Sequence, residues 1–146
     1  MTPNPTPSSH PQSAAPSGAA MPVLFVSHGS PMFALEHGST GPALRAWAAS
    51  LPTPPRGIVI MSPHWMARSA LVMTGPQPAT WHDFGGFDPK LYEMQYPAAG
   101  DPALAQQVTD LLQAAGIAAQ GDPQRPFDHG AWVPLMHLFP QANIPV

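Results

Sequence analysis

The chain has 146 residues, enough for one domain of modest core, and 44% of them are apolar, an ordinary globular share. Charged residues are only 9%, the formal net charge is -3 and no basic patch stands out, which argues against nucleic acid or an anionic membrane as the main partner. Cysteine is absent, which excludes disulfides and thiolate metal sites, and no stretch approaches the roughly eighteen consecutive apolar residues of a membrane helix.

Residues 1–20 hold five prolines, several Ser and Ala, and no charged residue. Such a segment buries too little apolar surface to offset its ordering entropy, so a disordered tail is expected there. It has neither the basic start and apolar centre of a secretory signal nor the arginines of a transit peptide. Residues 21–146 are then expected to form the fold.

Val23-Leu24-Phe25-Val26 is a short apolar run that ends in Ser27-His28-Gly29-Ser30-Pro31. It suits a strand buried on both faces of a parallel sheet, stopped by turn chemistry. The same grammar returns at Gly57-Ile58-Val59-Ile60-Met61-Ser62-Pro63-His64-Trp65. Between them Pro42 opens a helix whose stripe is Leu44, Trp47, Ala48 and Leu51, and Pro52, Pro54 and Pro55 end it. Strand, helix and strand from Val23 to Ser62 predict a βαβ unit. It would place His28 and His64 together at one sheet edge.

Ala70 to Thr74 reads as a third strand. The stretch from Gly75 to Gly100 is long for a loop and carries five aromatics between Trp81 and Tyr96, which favours an ordered, site-lining segment. Asp101-Pro102 opens the clearest helix, with Leu104, Val108, Leu111, Leu112 and Ala115 as its stripe and Gly116 as its stop. Ile117 to Ala119 reads as a short strand. Trp132, Leu135, Met136 and Phe139 are spaced for a last helix, with His129 at its N-terminus and Pro134 tolerable only in the first turn. Asn143 to Val146 reads as the approach to another buried strand, so the chain is expected to be part of a larger protein.

Seven histidines against five Lys plus Arg is an unusual balance. His28 and His64 would supply half of a typical metal shell, with proximity arising from topology. The other reading makes them turn residues that bind backbone carbonyls. Ser27, Ser30 or Ser62 as the nucleophile of a hydrolase is the alternative chemistry, but the G-x-S-x-G elbow is absent. Asp83 and Asp128, each beside a histidine, are candidates to orient an imidazole. His37 and His137 read as surface or core.

Ser27-His28-Gly29-Ser30-Pro31, Ser62-Pro63-His64-Trp65, His82-Asp83-Phe84-Gly85-Gly86-Phe87, Tyr96-Pro97 with Gly100 and Pro102, and Asp128-His129-Gly130-Ala131-Trp132-Val133-Pro134-Leu135 occur in that order. This pattern resembles the class III extradiol aromatic-ring-opening dioxygenases of the DOPA 4,5-dioxygenase type, over roughly Met21 to Val146. The resemblance implies an α/β fold with a mostly parallel central sheet, helices on both faces and a metal site at the C-terminal strand edge. Residues 21–146 would be the N-terminal part of a single catalytic domain.

It also implies a cytoplasmic enzyme that opens a DOPA-like catechol with O2, using one divalent metal ion, Fe(II) or Zn(II). His28 and His64 resemble the metal-ligand histidines, His129 the catalytic histidine, and His82 a candidate substrate contact. The partners would be a small aromatic diol and O2, with a homodimer possible. The remaining metal ligand and a further catalytic histidine would lie beyond Val146. The alternative is a truncated, non-catalytic remnant of the fold, or a metal-assisted hydrolase. Trp65, Trp81 and Phe84 would line a cleft for a flat ring.

Overall fold

The computed structural model describes residues 20–146, so the tail expected over residues 1–20 lies, but for Ala20, outside the described residues. The strands are β1 (Ala70–Met73) and β2 (Ala119–Asp122). They pair in parallel, Ala70 opposite Ala119 and Met73 opposite Asp122. The helices are α1 (Thr40–Ala49), α2 (Lys90–Glu93), α3 (Pro102–Ala114) and α4 (His129–Leu138), with a 3₁₀ turn over Pro31–Ala34. Helix α3 packs against both strands, while α4 packs against α1 and the 3₁₀ turn.

Helix α3 begins as its sequence predicts. Asp101 Oδ1 accepts from the N–H groups of Ala103 and Leu104, both at 3.0 Å, and Pro102 needs no acceptor. Its end explains why β2 starts later than expected. Gly116 (φ 78°) donates to Gln113 and Ile117 donates to Leu112, the paired bonds of a Schellman motif. Ile117 is thus committed to the helix cap, and the strand begins at Ala119. The buried face of α3 runs through Ala105 and Thr109 rather than Leu111, which is 71% exposed.

Helix α4 is apolar nearly all round, which suits an interior helix. Trp132 and Val133 are fully enclosed, and Leu135 is 1% exposed. Pro134 stands inside the helix instead of in its first turn, a correction to the expectation above. Its ring removes one helical N–H, and dense packing on all sides holds the helix regardless.

The stretch from Gly75 to Gly100 is ordered, as its aromatics predict. Thr80 bridges to Phe127 in parallel, through Trp81 N–H to Phe127 O (2.7 Å) and Phe127 N–H to Ala79 O (2.9 Å). Tyr96 is 1% exposed and its hydroxyl donates to Phe139 O at 3.0 Å. Burial pushes that phenol up to about 12.

The α/β class and the parallel pairing are seen, and among the described residues the sheet has two strands, with α3 packed on both. The runs Val23–Val26 and Ile58–Met61 form no strand pairs there. Their apolar character predicts burial on both faces, yet Val23, Phe25 and Met61 are almost wholly exposed, while Ile58 and Ile60 pack on the core. Hydrophobicity can place one face of a segment; a ladder also needs a neighbour's backbone groups. Among the described residues no helix is long and apolar enough to cross a membrane.

Candidate active site

Each apolar run delivers its histidine through a turn built by its own serines. Ser27 Oγ accepts from Gly29 N–H at 3.2 Å, and Ser30 Oγ caps the 3₁₀ turn by accepting from Met32 N–H at 3.2 Å. Gly29 has φ 67°, a left-handed conformation that favours glycine. On the second run, Ser62 Oγ accepts from His64 N–H at 3.2 Å and donates to Asp128 Oδ1. Among the described residues no hydrogen bond joins a serine hydroxyl to an imidazole, so Ser27, Ser30 and Ser62 act as turn and bracing groups.

The outcome is a cluster of three imidazoles. His28 Nε2 lies 3.2 Å from His64 Nε2. His129, the first residue of α4, has its ring centre 4.1 Å from that of His64 and 5.2 Å from that of His28. One ring nitrogen from each of the three falls within 4.8 Å of the others. The two runs therefore bring His28 and His64 together without forming a sheet.

The chemistry of the set suits a divalent metal. Two nitrogens bound at about 2.0–2.1 Å with tetrahedral angles stand about 3.3 Å apart, close to the His28–His64 spacing. His28 has its pKa lowered, first by burial and then by repulsion from His64 and His129, with Asp128 and Asp83 pulling the other way. A neutral imidazole is the form that binds metal. His28 Nδ1 is buried with no hydrogen-bond partner.

The two aspartates named from sequence do orient this cluster, but not their neighbours in the chain. Asp83 Oδ1 accepts from both the backbone N–H and the Nδ1–H of His129, each at 2.9 Å. Burial alone would raise the Asp83 pKa; the hydrogen bonds from His129 more than offset it and hold the carboxyl below its usual range. Asp128, 2% exposed, takes Ser62 on one oxygen and Arg125 Nη2 on the other, at 2.6 Å.

Arg125 carried no signal in the sequence. Its guanidinium lies 4.7 and 5.0 Å from the ring centres of Trp65 and Trp81, so these tryptophans, expected to wall a substrate cleft, also hold a cation, and Trp65 lines a cavity with it. Phe84 does face the cluster, edge-on to His129 at 5.6 Å. His82 is spent differently from its neighbours: its Nε2 donates to Met94 O at 2.9 Å, and Phe84 stands 5.8 Å away. His137 donates from Nε2 to Phe33 O at 2.9 Å, a buried core histidine near His37.

Gly130 shows why a glycine follows His129. A Cβ there would run into Ser62 Oγ and stand 2.8 Å from His64 Cδ2. A cavity of about 430 Å³ lies between the Ile58–Ser62 run, β1 and α3. Ser62 and Asp128 form part of its wall, but none of the three clustered histidines does.

Residues 22–146 match the family described as the catalytic LigB subunit of aromatic ring-opening dioxygenase. The chain is 41% identical over 130 residues to the 4,5-DOPA dioxygenase extradiol of Escherichia coli (strain K12), covering 89% of this chain and 47% of that protein. It is 38% identical over 127 residues to the protein of the same name from Beta vulgaris, covering 85% and 47%. It thus spans about half the length of the curated relatives it matches. A crystal structure of an uncharacterized protein from Escherichia coli K12 superposes with a TM-score of 0.54 and 34% identity, over 72% of this chain and 37% of that one.

Proposed function

The chain belongs to the family of the catalytic LigB subunit of aromatic ring-opening dioxygenases, of the DOPA extradiol type, and we propose that the protein opens a catechol ring beside its diol with O2. The observation that carries this reading is the convergence of His28, His64 and His129, which this family's ring-opening chemistry would use. His28 and His64 would hold one divalent metal, Fe(II) or Zn(II). A metal there would supply a Lewis acid for the diol oxygens and a docking point for dioxygen.

The residues of the chain do the remaining work. His129 has its Nδ1–H committed to Asp83, so Nε2 is the atom that accepts the proton released by a bound diol. Phe84 offers an aromatic edge beside that imidazole, against which a flat ring is held out of water. His82 would be a substrate contact only through Nδ1, because its Nε2 is taken by Met94 O. Ser62 and Asp128 keep the His64 turn fixed while substrate enters.

The test is catechol-dependent oxygen consumption by the protein loaded with Fe(II), compared with the same protein loaded with Zn(II) or left without metal. Uptake that needs both metal and a vicinal diol supports the reading. Metal binding without any uptake on a panel of catechols would remove it and leave only a metal-binding domain.

A further inference from the structure

We propose that Asp83 is the positioning residue for His129, fixing which ring nitrogen carries hydrogen and which way the ring faces. The claim about position stands on geometry alone; its consequence for turnover rests on the ring-opening reading above.

A carboxylate can only accept hydrogen bonds, and Asp83 Oδ1 lies 2.9 Å from His129 Nδ1. Nδ1 must therefore carry the hydrogen, which leaves the Nε2 lone pair free. The same oxygen accepts from the His129 backbone N–H, the first amide of α4. The residue that should cap this helix, Asp128, gives it no side-chain bond, because both of its oxygens are taken by Ser62 and Arg125. Asp83 thus caps α4 from 46 residues upstream and clamps the ring of its first residue with the same atom.

The segment that carries Asp83 is braced on both sides. Trp81 donates to Phe127 O at 2.7 Å and its own carbonyl accepts from Trp132 Nε1 at 3.0 Å. His82 is bonded to Met94, and Phe84 packs edge-on against His129 at 5.6 Å, so ring rotation is opposed from a second direction. Few residues between Trp81 and Phe84 are left free to drift. A carboxylate on Nδ1–H with Nε2 left free is the arrangement by which acid–base histidines are held in one tautomer.

The experiment uses the whole chain with isotope-labelled histidine. Two-bond proton–nitrogen correlation spectra report the tautomer of each ring, and His129→Gln identifies the His129 signals. In the wild type His129 shows the Nδ1–H form. Asp83→Ala shifts it to the Nε2–H form usual for free histidine, whereas Asp83→Asn, whose amide oxygen still accepts both bonds, retains Nδ1–H. In catechol-dependent turnover, Asp83→Ala lowers kcat by about 100-fold with KM within about twofold, and Asp83→Asn recovers most of that loss.

A wild-type His129 in the Nε2–H form, or an Asp83→Ala spectrum unchanged from wild type, overturns the assignment. If Asp83→Ala does not fold, the wild-type and Asp83→Asn spectra still decide it. If no preparation consumes oxygen, the ring-opening reading falls while the tautomer result stands on its own.

Discussion

The Nε2 atoms of His28 and His64, 36 residues apart in sequence, meet at 3.2 Å, the spacing of two ligands on one metal. Replacing either with alanine removes half of that pair. His28→Ala or His64→Ala is expected to weaken Zn(II) binding by more than about 100-fold, beyond the usual cost of losing an outer-sphere partner. Competitive titration with a chromophoric chelator measures this directly. Equal affinity in wild type and His64→Ala would place the metal elsewhere.

Gly130 is a steric necessity of that site rather than a backbone one, since its φ is not positive. Gly130→Ala drives a methyl into Ser62 Oγ and to 2.8 Å from His64 Cδ2. The expected result is a loss of about 1–3 kcal/mol of stability together with weaker metal binding. Denaturant unfolding and the same chelator titration check both halves.

Asp128 neutralises Arg125, whose side chain is 14% exposed, and anchors Ser62. Asp128→Ala leaves a clamped guanidinium unpaired and is expected to cost about 3–5 kcal/mol. Asp128→Asn keeps one acceptor oxygen for Arg125 and can donate its amide N–H to Ser62 Oγ, so it should cost clearly less. Urea midpoints at constant slope compare the two variants.

His137 gives the fold a pH dependence of known sign. Burial lowers its pKa below the ordinary 6.5, helped by His37 and Arg45 and opposed by its bond to Phe33 O. Between the folded value and 6.5 the unfolded chain binds more protons than the folded one, so stability rises with pH there. The contribution is complete above 6.5 and is lost as pH falls through the folded value. His137→Gln, which can still donate to Phe33 O, is expected to flatten part of this slope in urea titrations spanning about pH 5 to 7. His28, lowered in the same direction, supplies another part.

Local chemistry made much of this molecule legible in its sequence. Asp101-Pro102 and Gly116 bounded α3, and the turn residues after each apolar run delivered His28 and His64 to one place. What was not legible is mostly pairing at a distance. Asp83 and Asp128 read as orienting groups, each next to a histidine in the chain, His82 and His129. The structure crosses them: Asp83 serves His129, and Asp128 serves Ser62 and Arg125. Neighbouring side chains diverge, so sequence adjacency is a weak guide to who bonds whom.

The strands show the same limit. Val23–Val26 and Ile58–Met61 have the composition of buried strands, but composition does not name the neighbour that completes a ladder. Arg125 had no signal at all, because its clamp is made by Trp65 and Trp81, each more than forty residues away.

The most direct test of the central claim is the fate of isotopically labelled dioxygen. The Fe(II)-loaded protein would be given a catechol under labelled O2 and the product analysed by mass spectrometry. Extradiol cleavage predicts a ring-opened product carrying both labelled atoms, with one O2 consumed for each catechol and none consumed by His64→Ala. A product with one labelled atom, or a catechol recovered unchanged by protein that has bound its metal, would contradict the account.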